Sequence, residues 1–258
     1  MNDGEATAHG VYDWMLGGAW HRRADRELGR AIAARFPAVP GHIRAAQDFH
    51  CRAAAWAAER GVARFIRCGP VTALPGRDVH DAVRAACPAA QVIYVSPDEA
   101  AHAWAVALLS GKGITLVPAP PRPRSMLELE PVAAMLAGGE PVCVIAGLLL
   151  HFVPAEGAAA GIARLAKALP SGSVLALSLG IVGSDATRAD GLLDMYTPAR
   201  IRSHTAEDVT GWLEDAGLEI VPPGVKDVRA IPGKPGWAAR RLTGRTPGHI
   251  AGVLARKP

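Results

Sequence analysis

No pair of cysteines in this chain has Cys-x-x-Cys spacing. Cys51, Cys68, Cys87 and Cys143 lie far apart, which argues against a metal site and against a disulfide framework, so reduced cytosolic thiols are expected. No block of lysine and arginine interleaves with aromatic residues. The net charge of +4 comes from scattered arginines, so no nucleic-acid partner is expected. The longest apolar stretch, Val142 to Val153, contains His151 and is too short to cross a bilayer, so no membrane partner is expected. The segment Met1-Asn2-Asp3-Gly4-Glu5 is polar and slightly acidic, unlike a signal peptide, and a cytoplasmic location follows as an expectation. Internal repeats are absent, and no linker divides the chain in two.

What the chain has is enough apolar sequence for one large core. Half of its 258 residues are apolar and a fifth are charged, which is incompatible with wholesale disorder. Residues 1–60 read as a helical cap, with helices at Asp25–Phe36 and Ile43–Arg60 separated by Pro37 and Pro40. Residues 61–258 read as one α/β unit. Its strands are expected at Val62–Cys68, Gln91–Val95, Ile114–Val117, Val142–Ala146 and Ser173–Ser178, with Leu218–Val221 and Ile250–Ala255 closing the sheet. Helices fall between them: around Ala82–Ala86, Asp98–Leu109, Ala158–Leu169 and Thr205–Ala216. Another is expected to open on the Ser-x-x-Glu box at Ser125 and end near Gly138-Gly139. Strands alternating with helices of this length favour a mostly parallel, doubly wound sheet. Residues 222–248, rich in Pro, Gly and Arg, receive no assignment.

Several short motifs recur in a telling order: Tyr12-Asp13-Trp14-Met15-Leu16-Gly17-Gly18, Asp78-Val79-His80-Asp81, Val92-Ile93-Tyr94-Val95, Leu150-His151-Phe152-Val153-Pro154 and Ala251-Gly252-Val253-Leu254. In these the chain resembles, almost end to end, a family of bacterial S-adenosylmethionine-dependent methyltransferase-like proteins with a Tyr-Asp-x-x-Leu-Gly-Gly N-terminal motif. The resemblance implies a class I methyltransferase, Rossmann-like fold. It also implies S-adenosylmethionine as cofactor and no metal.

The departures from that family fall where the cofactor would bind. The family pattern after the first strand is Leu-Asp-Ile-Gly-Ser-Gly; here the chain reads Ile66-Arg67-Cys68-Gly69-Pro70-Val71. Arg67 reverses the charge that would serve the methionine ammonium, and Pro70 and Val71 restrict close backbone approach. After the second strand the expected acid is Ser96, with Asp98 two residues on. After the third, the expected Asp is Pro120. Each lost polar contact is worth roughly 1–3 kcal/mol. Candidate cofactor-binding residues are Gly69, Ser96 and Asp98, with Asp13, Gly17 and Gly18 of the N-terminal motif. Candidate catalytic residues are His151, Tyr12 and His21; a histidine just past the fourth strand suits a general base. His80 and Asp81 fit helix capping better than catalysis. Arg67 calls for a partner: an internal acid such as Asp98, or an anionic ligand.

Three functions are compatible with this reading. One is a family member repurposed to bind a small molecule, or to act on it by cyclase- or isomerase-type chemistry. Another is a working methyltransferase with a compensated cofactor site. The third is a non-catalytic regulatory partner of an intact homologue. A small-molecule ligand is the expected partner, and a homodimer is an open alternative.

Overall fold

A computed structural model describes residues 5–70, 76–96, 113–118, 126–181, 204–231 and 249–258, with Leu74, Arg202 and isolated positions between 102 and 111. Five parallel strands form its centre: β1 (Arg64–Cys68), β2 (Gln91–Ser96), β3 (Ile114–Pro118), β4 (Val142–Gly147) and β5 (Val174–Ile181). Strand β8 (His249–Arg256) runs antiparallel to β5. The two-residue strands β6 (Glu219–Ile220) and β7 (Lys226–Asp227) pair antiparallel with β8. The sheet order is β3-β2-β1-β4-β5-β8-β6, with β7 also on β8. The α/β, mostly parallel doubly wound sheet read from the sequence is the observed one.

The central strands are apolar almost without interruption because both faces are covered. Side chains alternate between the faces. Phe65, Tyr94, Cys143, Ile145 and Ala176 join one buried cluster, beneath α3 (Val39–Ala58) and α4 (Val79–Arg84). Ile66, Ile93, Val144, Leu175 and Leu177 join the other, beneath α5 (Glu130–Ala137), α6 (Ala155–Ala168) and α7 (Ala206–Asp215). Burying a side chain such as Phe49, Phe65 or Leu177 contributes about 1.5–3 kcal/mol each.

Within residues 1–60, α3 lies directly on the sheet, against β4, β5 and β8. A side chain at Gly252 of β8 would press on the Phe49 ring. The sequence reading had two helices here; the structure adds a third, α1 (Ala8–Leu16), before α2 (Arg23–Arg35). Thr7 caps α1, and the buried Asp25 carboxylate accepts from the Thr7 N–H at 2.7 Å and the Arg22 N–H at 2.8 Å. A Cβ at Gly10 would overlap that carboxylate, so glycine there lets α1 and α2 meet. Replacing Asp25 with alanine orphans two backbone donors, and a loss of about 2 kcal/mol in unfolding free energy is expected from urea titration.

One expected helix start was misplaced. Met126–Glu128 is a separate 3-10 turn, and α5 begins at Glu130, with no side-chain cap at Leu129. Pro131 lacks an N–H and sits in the first turn, where none is needed, so it places the start. Ser125 lies outside the described residues. The Thr205-x-x-Asp208 cap of α7 is present, Asp208 N–H donating to Thr205 Oγ1 at 3.0 Å. In the formerly unassigned segment after 222, β7 adds to the sheet, and Arg52 of α3 donates to the Val228 and Ile231 carbonyls. Among the described residues no helix is long and apolar enough to cross a membrane.

Candidate ligand site at the strand switch

From β1 the sheet grows outward to β2 and β3 on one side and to β4 and β5 on the other. Ligands of open α/β sheets lie outside the carboxyl ends of the strands at such a reversal, so the crevice to inspect is the one at the ends of β1 and β4. Gly69 follows β1 with φ +119, and a Cβ there would overlap the Gly147 carbonyl oxygen at the end of β4. The two strand ends therefore meet through glycine. Leu148, next in line, holds φ +53, a conformation unfavourable for leucine. Its N–H donates to the Ser178 carbonyl at 2.9 Å and to Ser178 Oγ at 3.2 Å.

Arg67 shares the α3 face with Phe65 and is 1% exposed. Its guanidinium donates to the Cys68 carbonyl, to the Pro70 carbonyl at 3.3 Å and to His50 Nδ1 at 3.2 Å. Because His50 Nδ1 receives that bond, the ring proton belongs on Nε2, which donates to Ser178 Oγ at 2.7 Å. The imidazole is held neutral: burial, then the charges of Arg67 and Arg52, drive its pKa well below the usual histidine range. The pair looks like a serine–histidine dyad, but the proton lies on the wrong nitrogen for His50 to activate Ser178. Gln47 Oε1 lies 3.5 Å from His50 Nδ1 and accepts from the Tyr12 hydroxyl at 3.3 Å. Burial raises the Tyr12 pKa above the ordinary tyrosine value, so Tyr12 stays a neutral donor.

The predicted site residues thus divide. Tyr12 joins Arg67 at the strand ends, its hydroxyl lying beside the guanidinium. Asp13, Gly17, Gly18 and His21 form a separate knot at the end of α1. There Asp13 accepts from the N–H groups of Trp20 and His21, each at 3.2 Å, and lies 2.9 Å from His21 Nδ1. A Cβ at Gly18 would overlap the Asp13 carboxylate, and Gly17 ends α1 with φ +79. Ser96 is buried at the end of β2, opposite Pro118 of β3. Asp98, Val71 and Pro120 lie outside the described residues. His80 and Asp81 serve the start of α4: Asp81 accepts from the Asp78 N–H at 3.2 Å, and His80 Nδ1 lies 2.8 Å from the Tyr94 hydroxyl.

His151 stands apart from this network, in the 3-10 turn Leu150–Phe152 just past β4. Its Nδ1 is buried with no hydrogen-bond partner among the described residues, and burial followed by the nearby His204 brings its pKa down to about 4. His204 Nε2 donates to the Leu150 carbonyl at 2.9 Å and Arg202 N–H to the His151 carbonyl at 2.7 Å, fixing the turn. His151 is therefore neutral at physiological pH, with an unfilled hydrogen-bonding position. Sequence reasoning passed over Gln47, His50, Gly147 and Ser178. The available signal was His50 falling in the apolar stripe Ala46, Phe49, Ala53, Ala57 of α3, where a polar group must find a buried partner. Among the described residues no group of three or more potential ligands could hold a metal ion.

Residues 1–258 match the family described as S-adenosyl methyltransferase. The chain belongs to that family. Two solved structures share the fold of this family member over nearly its full length. One is a DUF574 family protein from Streptomyces avermitilis, with a TM-score of 0.84 and 27% identity over 98% of each chain. The other is a putative methyltransferase from Thermobifida fusca, with a TM-score of 0.82 and 21% identity over 98% of this chain and 95% of that one. At a greater distance stands magnesium protoporphyrin IX methyltransferase from Synechocystis, solved with bound SAH. It gives a TM-score of 0.52 at 16% identity, over 96% of this chain and 93% of its own. These matches make the fold that of the class I methyltransferases. No curated protein sequence matches the chain.

Proposed function

We propose that this methyltransferase-family protein serves a small molecule other than S-adenosylmethionine at the crevice between β1 and β4, by binding it or by non-methylating chemistry of the cyclase or isomerase type. One observation carries the reading: the Arg67 guanidinium is buried at the end of β1, where the family resemblance implies an acid for the cofactor's ammonium. A methionine ammonium brought there meets a like charge, and among the described residues no carboxylate pairs with Arg67 to offset it. The residues at this strand end do not fit the cofactor in the family's usual mode. Neutral His151, with its unfilled Nδ1, is the group beside the sheet's carboxyl edge that could take up or position a proton of the ligand.

The second reading, a working methyltransferase, draws its support from the family match over residues 1–258. Calorimetric titration with S-adenosylmethionine and S-adenosylhomocysteine separates the two. An unfavourable charge contact and one lost hydrogen bond, each worth roughly 1–3 kcal/mol, together weaken binding about 100-fold or more. Dissociation constants near a millimolar or weaker are expected, and micromolar binding would overturn the proposal.

A further inference from the structure

We infer that Arg67 anchors a singly charged anion, the carboxylate of a small-molecule ligand that carries no ammonium group beside it. This rests on the preceding reading of the crevice and names the chemistry of its occupant.

A guanidinium keeps its charge at any physiological pH, and a charge taken out of water needs a counter-charge. Three of the partly buried arginines obey this rule, whereas Arg44 and Arg202, each more exposed than Arg67, donate to backbone carbonyls. Arg52, which also reaches two backbone carbonyls, is paired with Asp48. Arg22 is paired with Asp25, and Arg229 with Asp227. Arg67 is more buried than any of these, yet its contacts are two carbonyls, a neutral imidazole and the neutral Tyr12 hydroxyl. Among the described residues no carboxylate lies within ion-pair distance of it. Asp78, whose carboxyl feels the Arg67 charge, spends its oxygen on the Val79 N–H at 2.7 Å and the Tyr94 hydroxyl at 3.2 Å. Among the described residues this charge is uncompensated, and it stands at the strand reversal beside which ligands of open α/β sheets lie.

The neighbours narrow the ligand. Among the described residues the other cation acting on His50 is Arg52, already neutralised by Asp48, so they offer one positive charge here. A carboxylate matches that; a phosphate dianion does not. An ammonium on the adjacent carbon would face Arg67 and neutral His50, and Asp78, a described acid that feels the Arg67 charge, is already engaged by the Val79 N–H and the Tyr94 hydroxyl. The 3.3 Å bond from Arg67 to the Pro70 carbonyl is long beside the 2.7–2.9 Å usual for charge-assisted pairs, so it is the contact a carboxylate displaces.

The test uses the full chain and measures thermal unfolding at fixed ionic strength with sodium acetate, butyrate, hexanoate and benzoate, against sodium chloride and sodium phosphate. At 20 mM, at least one carboxylate is expected to raise the midpoint by about 2 °C or more over chloride. The rise should vanish in Arg67→Met and shrink in Arg67→Lys, which keeps the charge but loses the fork. The lysine variant also serves if the methionine variant fails to fold. Equal midpoints in carboxylate and chloride, a larger rise with phosphate, or a rise undiminished by either substitution would each overturn the inference. If S-adenosylhomocysteine also fails to bind, the reading of the crevice stands and only the carboxylate falls; tight binding of S-adenosylhomocysteine removes both.

Discussion

Substituting Gly69 with alanine is expected to cost about 4 kcal/mol of stability, near the top of the range for a single residue. Two penalties add. The residue holds φ +119, which a side chain resists, and the new methyl would overlap the Gly147 carbonyl oxygen, a backbone atom of a central strand. Relief requires β1 and β4 to part, and they are hydrogen-bonded along their whole length from Arg64 to Cys68. For a protein stable by about 5–15 kcal/mol the variant sits near the edge of folding. Gly17→Ala is the matched control: it also has positive φ, +79, but nothing lies within 4 Å of the added Cβ, so about 1 kcal/mol is expected. Urea unfolding of the two variants reads the difference. Equal, small losses would mean that the strand ends do not approach as described.

Acid is expected to weaken the fold by about 2–3 kcal/mol between pH 6.5 and pH 4 through His151 alone. Its pKa falls to about 4 in the folded chain and returns to 6.5 on unfolding. Between those values the unfolded chain takes up a proton that the folded chain refuses, so the contribution is complete above pH 6.5, falls as the pH falls, and is flat below 4. His50, whose pKa is also depressed by burial, adds to the loss in the same direction. Asp13 and Asp78 oppose it: burial raises both carboxyls, so the folded chain accepts their protons more readily and regains stability in acid. Replacing His151 with glutamine should flatten the dependence by close to one proton, about 1.4 kcal/mol per pH unit within the window. An unchanged slope would show that the ring is hydrated.

The strands were legible because a sheet covered on both faces has no polar period to hide; Val142–Ala146 reads as a strand on composition alone, and β4 is there. The Thr205 cap of α7 was legible because its two partners are three residues apart. Arg67 was legible as an oddity, but its surroundings were not. His50 precedes it by 17 residues and Ser178 lies 128 beyond His50, and no local pattern links them. They meet because α3 crosses β4 and β5. The helix α1 was missed because its residues were read as a motif and not for their periodicity. The start of α5 was misread because a four-residue capping pattern was trusted over the proline that follows it.

The chain of donors from Arg67 through His50 to Ser178 has a direction, and a single position sets it. An imidazole can move its proton from one nitrogen to the other, and a hydroxyl can turn from acceptor to donor, without either changing place. An acid at residue 67 would make His50 Nδ1 the donor and Nε2 the acceptor, and Ser178 would then give its proton to the ring. Both signs of charge at residue 67 can therefore be served by the same two side chains, His50 and Ser178, in the same positions. The wiring behind the crevice is ambidextrous, so its electrical sense can be inverted by one substitution while the scaffold around it is left alone.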